Sequence, residues 1–361
     1  MIKLLLGFLL YWNTLFAIQV FAAEQTVTPK IIGGIESSTN EIPWQVYLNM
    51  TFPGPTTFVC GGVAITPTIV LTAAHCMQNG STTVLAENIQ VWAGITSIFS
   101  ANSANAISVD EIVPHNKFNP TSFKNDIAIL KLAAPLPATA IPIQIANTET
   151  QDRADKEFDI SWVANSDRPA NLLVSGWGST DPDNPNNSGS TQLRQTLLSG
   201  VPDPTCASMW EPNITPSDAS IYVCASSPSP LLARDSCSGD SGGPLVWQDP
   251  QAASDSDFGL RLVGLVSFGQ QGGCARDLPG VYTEVANYYG WIDTWIKSET
   301  DTTIAELPAP AFSINPFLSD YSNAGIPKPV VESDSGGSVG MTSLLLLMLA
   351  AYRRRVSVAW I

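Results

Sequence analysis

The chain has 361 residues, with 17 Lys and Arg against 32 Asp and Glu, for a formal net charge of −15 and a pI near 4.4. That balance excludes nucleic acid or a broad anionic membrane as the main partner, since both require a basic face. The length allows a sizeable core and more than one folded unit.

Residues 1–23 carry one lysine, an apolar core from Leu4 to Phe21 and a Val20-Phe21-Ala22 step with small residues placed for cleavage. The pattern predicts a secretory signal peptide, and the six cysteines suit an oxidising compartment. Residues 24–30 form a short polar segment ending in Lys30, followed by Ile31-Ile32-Gly33-Gly34. From Trp44-Gln45-Val46-Tyr47-Leu48 to about Ile145, short apolar and alternating runs recur between Gly, Pro, Asn and Ser breaks. This spacing predicts antiparallel strands in a barrel or sandwich.

Within that region, His75 closes the apolar run Val70-Leu71-Thr72-Ala73-Ala74 and precedes Cys76, while Asp126 heads the alternating run Ile127-Ala128-Ile129-Leu130. The other histidine of the chain, His115, reads as a solvated loop residue. Residues 142–173 form a long acidic crossing to which the sequence assigns no role. Val174-Ser175-Gly176-Trp177-Gly178 then opens a second set of strands. Polar loops at 181–190 and 249–257 hold several carboxylates, which solvation explains.

The chemistry concentrates in Arg234-Asp235-Ser236-Cys237-Ser238-Gly239-Asp240-Ser241-Gly242-Gly243-Pro244. A serine between glycines can sit on a tight loop whose backbone N–H groups converge on an oxyanion. Serine is a weak nucleophile at neutral pH, so this reading needs a histidine base and an orienting carboxylate. His75 and Asp126 are the candidates. After Pro279-Gly280-Val281-Tyr282-Thr283, the residues Val285, Tyr288, Tyr289, Ile292, Trp295 and Ile296 repeat with helical spacing.

Taken in order, Ile-Ile-Gly-Gly, Leu-Thr-Ala-Ala-His-Cys, Asp-Ile-Ala-Ile-Leu, Gly-Asp-Ser-Gly-Gly-Pro and Pro-Gly-Val-Tyr-Thr resemble the trypsin-like serine proteases of the chymotrypsin family. The resemblance covers residues 31–298. It implies an all-β fold of two antiparallel six-stranded β-barrels, about 31–145 and 146–284, with the active site between them and a C-terminal helix over 285–298. It implies a secreted zymogen, cut after Lys30, that hydrolyses peptide bonds after Arg or Lys. The freed Ile31 amine would pair with Asp240. His75, Asp126 and Ser241 would form the triad, and the N–H groups of Gly239 and Ser241 the oxyanion hole. Asp235 would lie at the base of the specificity pocket, with Ser236, Ser267, Gly269 and Gly280 around it and Ser267 also bonded to the triad carboxylate.

Sequence alone leaves the cysteine pairing open. The resemblance implies Cys60 with Cys76, Cys206 with Cys224 and Cys237 with Cys274. Residues 96–108 lack the paired glutamates of the calcium loop found in many relatives, so neither metal nor cofactor is expected. Phe268 stands where tryptophan is usual, and Gln270-Gln271-Gly272-Gly273 is longer than usual, which leaves preferences beyond the first subsite open.

The remainder differs. Residues 299–335 are rich in Pro, Ser, Ala and Asn and predict an extended linker. Gly336-Gly337, an apolar run to Tyr352 and Arg353-Arg354-Arg355 resemble the GlyGly-CTERM sorting segments of Gram-negative bacteria, which a rhomboid-type peptidase processes. The arginines favour this over a glycolipid-anchor signal, whose tail ends apolar. The expected protein is thus exported, held transiently at the membrane, then secreted or surface-bound as a monomer acting on protein or peptide substrates, activated by itself or by another protease. The alternative reading is an inactive homologue serving as a secreted binding module, which retention of His75, Asp126 and Ser241 disfavours. A surface adhesion protein with a vestigial domain has only the tail in its favour.

Overall fold

The computed structural model describes residues 31–54, 56–186 and 189–328. The expected signal peptide, Lys30 and the sorting segment at 336–361 lie outside the described residues. Among the described residues no helix is long and apolar enough to cross a membrane.

The first barrel is built from β1 (Gln45–Phe52), β2 (Thr56–Thr66), β3 (Ile69–Thr72), β4 (Ile89–Ala93), β5 (Ile107–Pro114) and β6 (Ala128–Leu132). It closes in the order β1-β2-β3-β6-β5-β4. Its logic is visible in β1, where Val46, Leu48, Met50 and Phe52 are buried and Tyr47, Asn49 and Thr51 are more exposed. A period of two puts one face of each strand inside the barrel. Each fully buried aliphatic or aromatic side chain there contributes about 1.5–3 kcal/mol.

The second barrel uses β7 (Leu172–Gly176), β8 (Arg194–Val201), β9 (Tyr222–Ser226), β10 (Pro244–Gln248), β11 (Leu260–Phe268) and β12 (Gly280–Glu284). They run β8-β7-β10-β11-β12-β9, and β9 pairs back to β8. Strands β7, β8 and β12 are buried on both faces. Their outer faces are covered by other parts of the chain, so alternation disappears from their sequence. A third apolar cluster joins the two barrels through Trp44, Ile69, Leu71, Val246 and Leu262, and takes in Ile292 and Ile296 of the C-terminal helix α3 (Tyr289–Thr300). That helix ends on Asp301, whose φ of 57° closes it in the left-handed conformation.

The acidic crossing, unassigned from sequence, contains the helix α1 (Thr148–Ser161). Asn147 caps it by accepting the Thr150 N–H at 2.9 Å. Its buried face is small, with Ala154 and Phe158 as the apolar residues. Phe158 lies on bare backbone at Gly200 of β8, where a Cβ would come within 2.2 Å of the ring. Glu157 accepts from Trp247 Nε1 and Asn171 Nδ2, both at 3.0 Å.

Two expectations are corrected. Residues 301–328 are not an extended linker, because they wrap back over the body. Phe312 is buried, with its ring centroid 4.8 Å from that of Trp44, and Ile326–Pro327 pairs antiparallel with Leu232–Ala233. Single anchors and backbone hydrogen bonds hold this segment, and neither leaves a periodic apolar pattern. His115 does lie in a loop, just after β5, but it is half-buried rather than freely solvated. It stands edge-on to Tyr288 and Trp291, at 5.1 and 5.0 Å, where β5 runs out against α3. Burial, then Lys117, lowers its pKa.

Candidate active site

The first barrel supplies an imidazole and a carboxylate. Strand β3 ends at Thr72, and His75 sits in the following 3-10 turn, Ala74–Met77. Asp126 precedes β6, after a turn in which Phe123 and Asn125 take positive φ. Its Oδ1 accepts the His75 backbone N–H at 2.8 Å, and its Oδ2 lies 2.7 Å from His75 Nδ1. Ser267, from β11 of the second barrel, donates to the same Oδ2 at 2.6 Å. The Thr283 hydroxyl donates to the Asp126 carbonyl at 2.9 Å.

Asp126 has no exposed side chain, whereas His75 keeps 22% exposure. Burial alone would lower the imidazole pKa, but the Asp126 charge and hydrogen bond outweigh it, and the net shift is upward. The proton is held on Nδ1, which leaves Nε2 as the free base.

The second barrel supplies the serine loop. Gly239 and Gly242 take φ of 97° and 76°. A Cβ at Gly242 would lie 2.2 Å from Thr72 Oγ1 and 2.7 Å from Gly61 O, so the loop is pressed against β2 and β3 of the other barrel. The Gly61 N–H donates to Ser241 O at 2.7 Å, and Gly242 N–H to Val266 O at 2.8 Å. Cys60 is bonded to Cys76. The Cys76 sulfur lies 3.9 Å from His75 Nε2 and 3.7 Å from Ser241 O, which brings the imidazole and the serine to one disulfide. Among the described residues, the N–H groups of Gly239 and Ser241 have no acceptor.

Beside the serine lies a pocket of about 150 Å³ lined by Asp235, Ser236, Ser241, Ser267, Phe268, Gly269 and Gly280, among others. Asp235 accepts N–H groups from Ser236 at 2.9 Å and Ala275 at 3.0 Å. Burial, opposed by these bonds, raises its pKa to about 7. A Cβ at Gly280 would sit 2.7 Å from Asp235 Oδ1, and one at Gly269 would meet only open space. Both glycines keep the pocket clear. Cys237–Cys274 ties the serine loop to the segment carrying Ala275, and Cys206–Cys224 joins α2 (Asp203–Trp210) to β9.

Behind the serine, Asp240 is fully buried and accepts N–H groups from Gly178 at 2.7 Å and Cys237 at 2.9 Å. Burial raises its pKa to about 7 despite both bonds. Gly176 and Gly178 make room for it, since a Cβ at either would strike its carboxylate. Ile31 is fully buried in the second-barrel core.

Sequence reading missed several contributors. Phe123 packs its ring 5.4 Å from His75 and 5.7 Å from Phe268. Tyr282 Oη is 3.0 Å from Ser236 Oγ beneath the pocket. Thr283 and Tyr282 stood in a noted motif, but only the register of β12 shows which way each side chain points.

The trypsin family model matches residues 31–292. Trypsin alpha-4 of Lucilia cuprina is 33% identical over 267 residues, covering 73% of this chain and 86% of the relative. Human kallikrein-12 is 33% identical over 285 residues, covering 76% and 93%. A solved structure titled HL collagenase superposes with a TM-score of 0.57 at 26% identity, covering 76% of this chain and all of that one. The chain therefore belongs to the trypsin family of serine proteases, and it is a serine endopeptidase.

Proposed function

We propose that this endopeptidase is made as an exported zymogen, is activated by cleavage after Lys30, and cuts protein substrates after Arg or Lys. The observation that carries the reading is the buried Asp235 carboxylate flanking a pocket that Gly269 and Gly280 leave open. A long cation entering there meets a charge that water barely reaches, and such charge-assisted bonds are strong.

In the reaction, His75 Nε2 takes the Ser241 proton as the hydroxyl attacks the carbonyl carbon, and Asp126 stabilises the imidazolium. The oxyanion forms between the N–H groups of Gly239 and Ser241, where each donor is worth about 3–4 kcal/mol in comparable sites. The imidazolium protonates the leaving amine, and water resolves the acyl-enzyme by the same relay. Activation follows from Asp240: a buried carboxylate without a cation is costly, on the order of 3–5 kcal/mol. The Ile31 amine freed by cleavage supplies that cation. Lys30 is itself a residue that Asp235 would select, so self-activation follows from the same pocket. Residues 1–23 direct export, and the GlyGly-CTERM-like segment retains the chain at the membrane until a rhomboid-type peptidase releases it.

Asp235→Ser tests the specificity. Loss of the buried pair, roughly 3–5 kcal/mol, lowers kcat/KM for an Arg-terminated chromogenic peptide about a hundredfold or more. Labelling of Ser241 by a phosphonate continues. Undiminished cleavage after Arg in this variant would overturn the pocket assignment.

A further inference from the structure

The family match ends at residue 292, yet the chain beyond it reaches the part of the molecule on which activation depends. After Phe312, the segment passes Tyr321, whose hydroxyl accepts from Gln195 Nε2 at 2.8 Å. It then crosses the strand that leads into Asp235. Leu232 and Ala233 pair with Pro327 and Ile326. Arg234, the next residue, donates to Ala324 O at 3.0 Å. The Lys328 N–H donates to Leu231 O at 2.9 Å.

The same turn also lies on the activation segment. Gly325 N–H donates to Gly33 O at 2.9 Å. A Cβ at Gly33 would lie 2.3 Å from Ala233 O and 2.8 Å from Gly325 Cα, so Gly33 is pressed between the two chains. Ile32 forms a small buried cluster with Ala233 and Cys237, against which Cys274 and Ile326 pack, and its carbonyl accepts the Asp235 N–H at 3.2 Å. Ile32 and Gly33 thus sit in the angle between two chains that also pair directly with each other, bonded through Ile32 O to Asp235 and through Gly33 O to Gly325. In the uncut chain Ile32 and Gly33 are tethered through residue 30. After cleavage they belong to a free chain end, which frays unless its backbone is held by partners.

We infer that residues 324–327 are a positioning element, an intramolecular strap that holds the cut activation segment against the Asp235 strand. The C-terminal extension thereby completes the specificity pocket from behind. This rests on the proposed activation after Lys30. The strap touches neither substrate nor Ser241, so it acts on cation binding and leaves the chemical step alone.

The test uses the full chain carrying Ile326→Ser, which unseats the strap from Ile32, with Ile326→Val as the conservative rescue. Gly325→Val is a second disruption, because φ at 325 is 102° and a Cβ there lies 3.0 Å from Leu232 Cβ. After cleavage at Lys30, loss of one or two buried contacts raises KM for an Arg-peptide roughly tenfold, while kcat per phosphonate-titrated serine is unchanged. Ile326→Val restores KM. Independently of activity, hydrogen exchange at the Asp235 amide speeds up in the disrupted variants and not in Ile326→Val. If both disruptions leave KM and Asp235 exchange at wild-type values, or merely lower Tm, the strap has no positioning role. If the cut wild type itself fails to turn over the Arg-peptide, the activation reading fails, and the exchange measurement still decides the strap.

Discussion

Asp240→Asn isolates the activation step. The substitution is isosteric; it removes the charge and turns one of the two acceptors into a donor. In the structure the carboxylate is fully buried, and both of its bonds come from backbone N–H groups, of Gly178 and Cys237. Asparagine offers one acceptor and one donor, so one of those N–H groups faces another N–H and the other bond weakens. The pair with the Ile31 amine is also lost. A broken buried pair costs about 3–5 kcal/mol, and each 1.36 kcal/mol is a decade in the active population. The cut variant should therefore show kcat/KM reduced by about two to four decades.

The pH profile changes with it. If the proposed pairing forms, the Asp240 carboxylate raises the Ile31 amine above its ordinary value of about 7.7–8.0. Its contribution is fully present below that ordinary value and is lost as pH rises through the raised one. The wild type therefore has an alkaline limb that Asp240→Asn lacks. The assay is turnover of an Arg-peptide from pH 6 to 11, normalised to titrated serine, on chain shown by mass spectrometry to begin at Ile31. A variant within threefold of wild type, with the alkaline limb intact, would refute the reasoning.

Two other outcomes follow from the same structure. Burial raises Asp235 to about 7, so below that pH its carboxyl is neutral and holds no cation; KM for an Arg-peptide should climb as pH falls through about 7, and KM for a peptide with a neutral side chain at the cleavage site should not. Parallel KM profiles for the two peptides would contradict this. At Gly200→Ala the new Cβ meets the Phe158 ring; overpacking of about 1–3 kcal/mol should lower Tm by several degrees without changing KM, and an unchanged Tm would mean that α1 is not docked through Phe158.

Much of the fold was legible because barrels print themselves on the sequence. The alternation of β1 and the spacing of short runs announce strands with one buried face, and the ordered motifs announce their arrangement. The candidate site was legible where chemistry restricts residue type: a serine between glycines, a histidine after β3 and an aspartate before β6; the carboxylate six residues ahead of the serine was legible only through the family resemblance.

What escaped has physical reasons. α1 shows no apolar stripe because Phe158 does most of its docking and Gly200 provides the socket from a distant strand. The segment from 301 to 328 read as linker because its hold on the body comes from Phe312, Tyr321, Ile326 and backbone groups, and backbone hydrogen bonds carry no sequence signature. His115 looked solvated because its aromatic neighbours, Tyr288 and Trp291, come from the far end of the chain.

The central claim is that the cut after Lys30 activates the enzyme by giving the buried Asp240 a cation, the new Ile31 amine. The most direct measurement follows intact mass and Arg-peptide turnover together during limited proteolysis of the Ser241 protein and of Ser241→Ala. The account predicts turnover rising in proportion to the fraction of chain beginning at Ile31, and none in Ser241→Ala at any extent of cleavage. Full turnover before any chain is cut at Lys30, or no turnover once all of it is, would contradict the account.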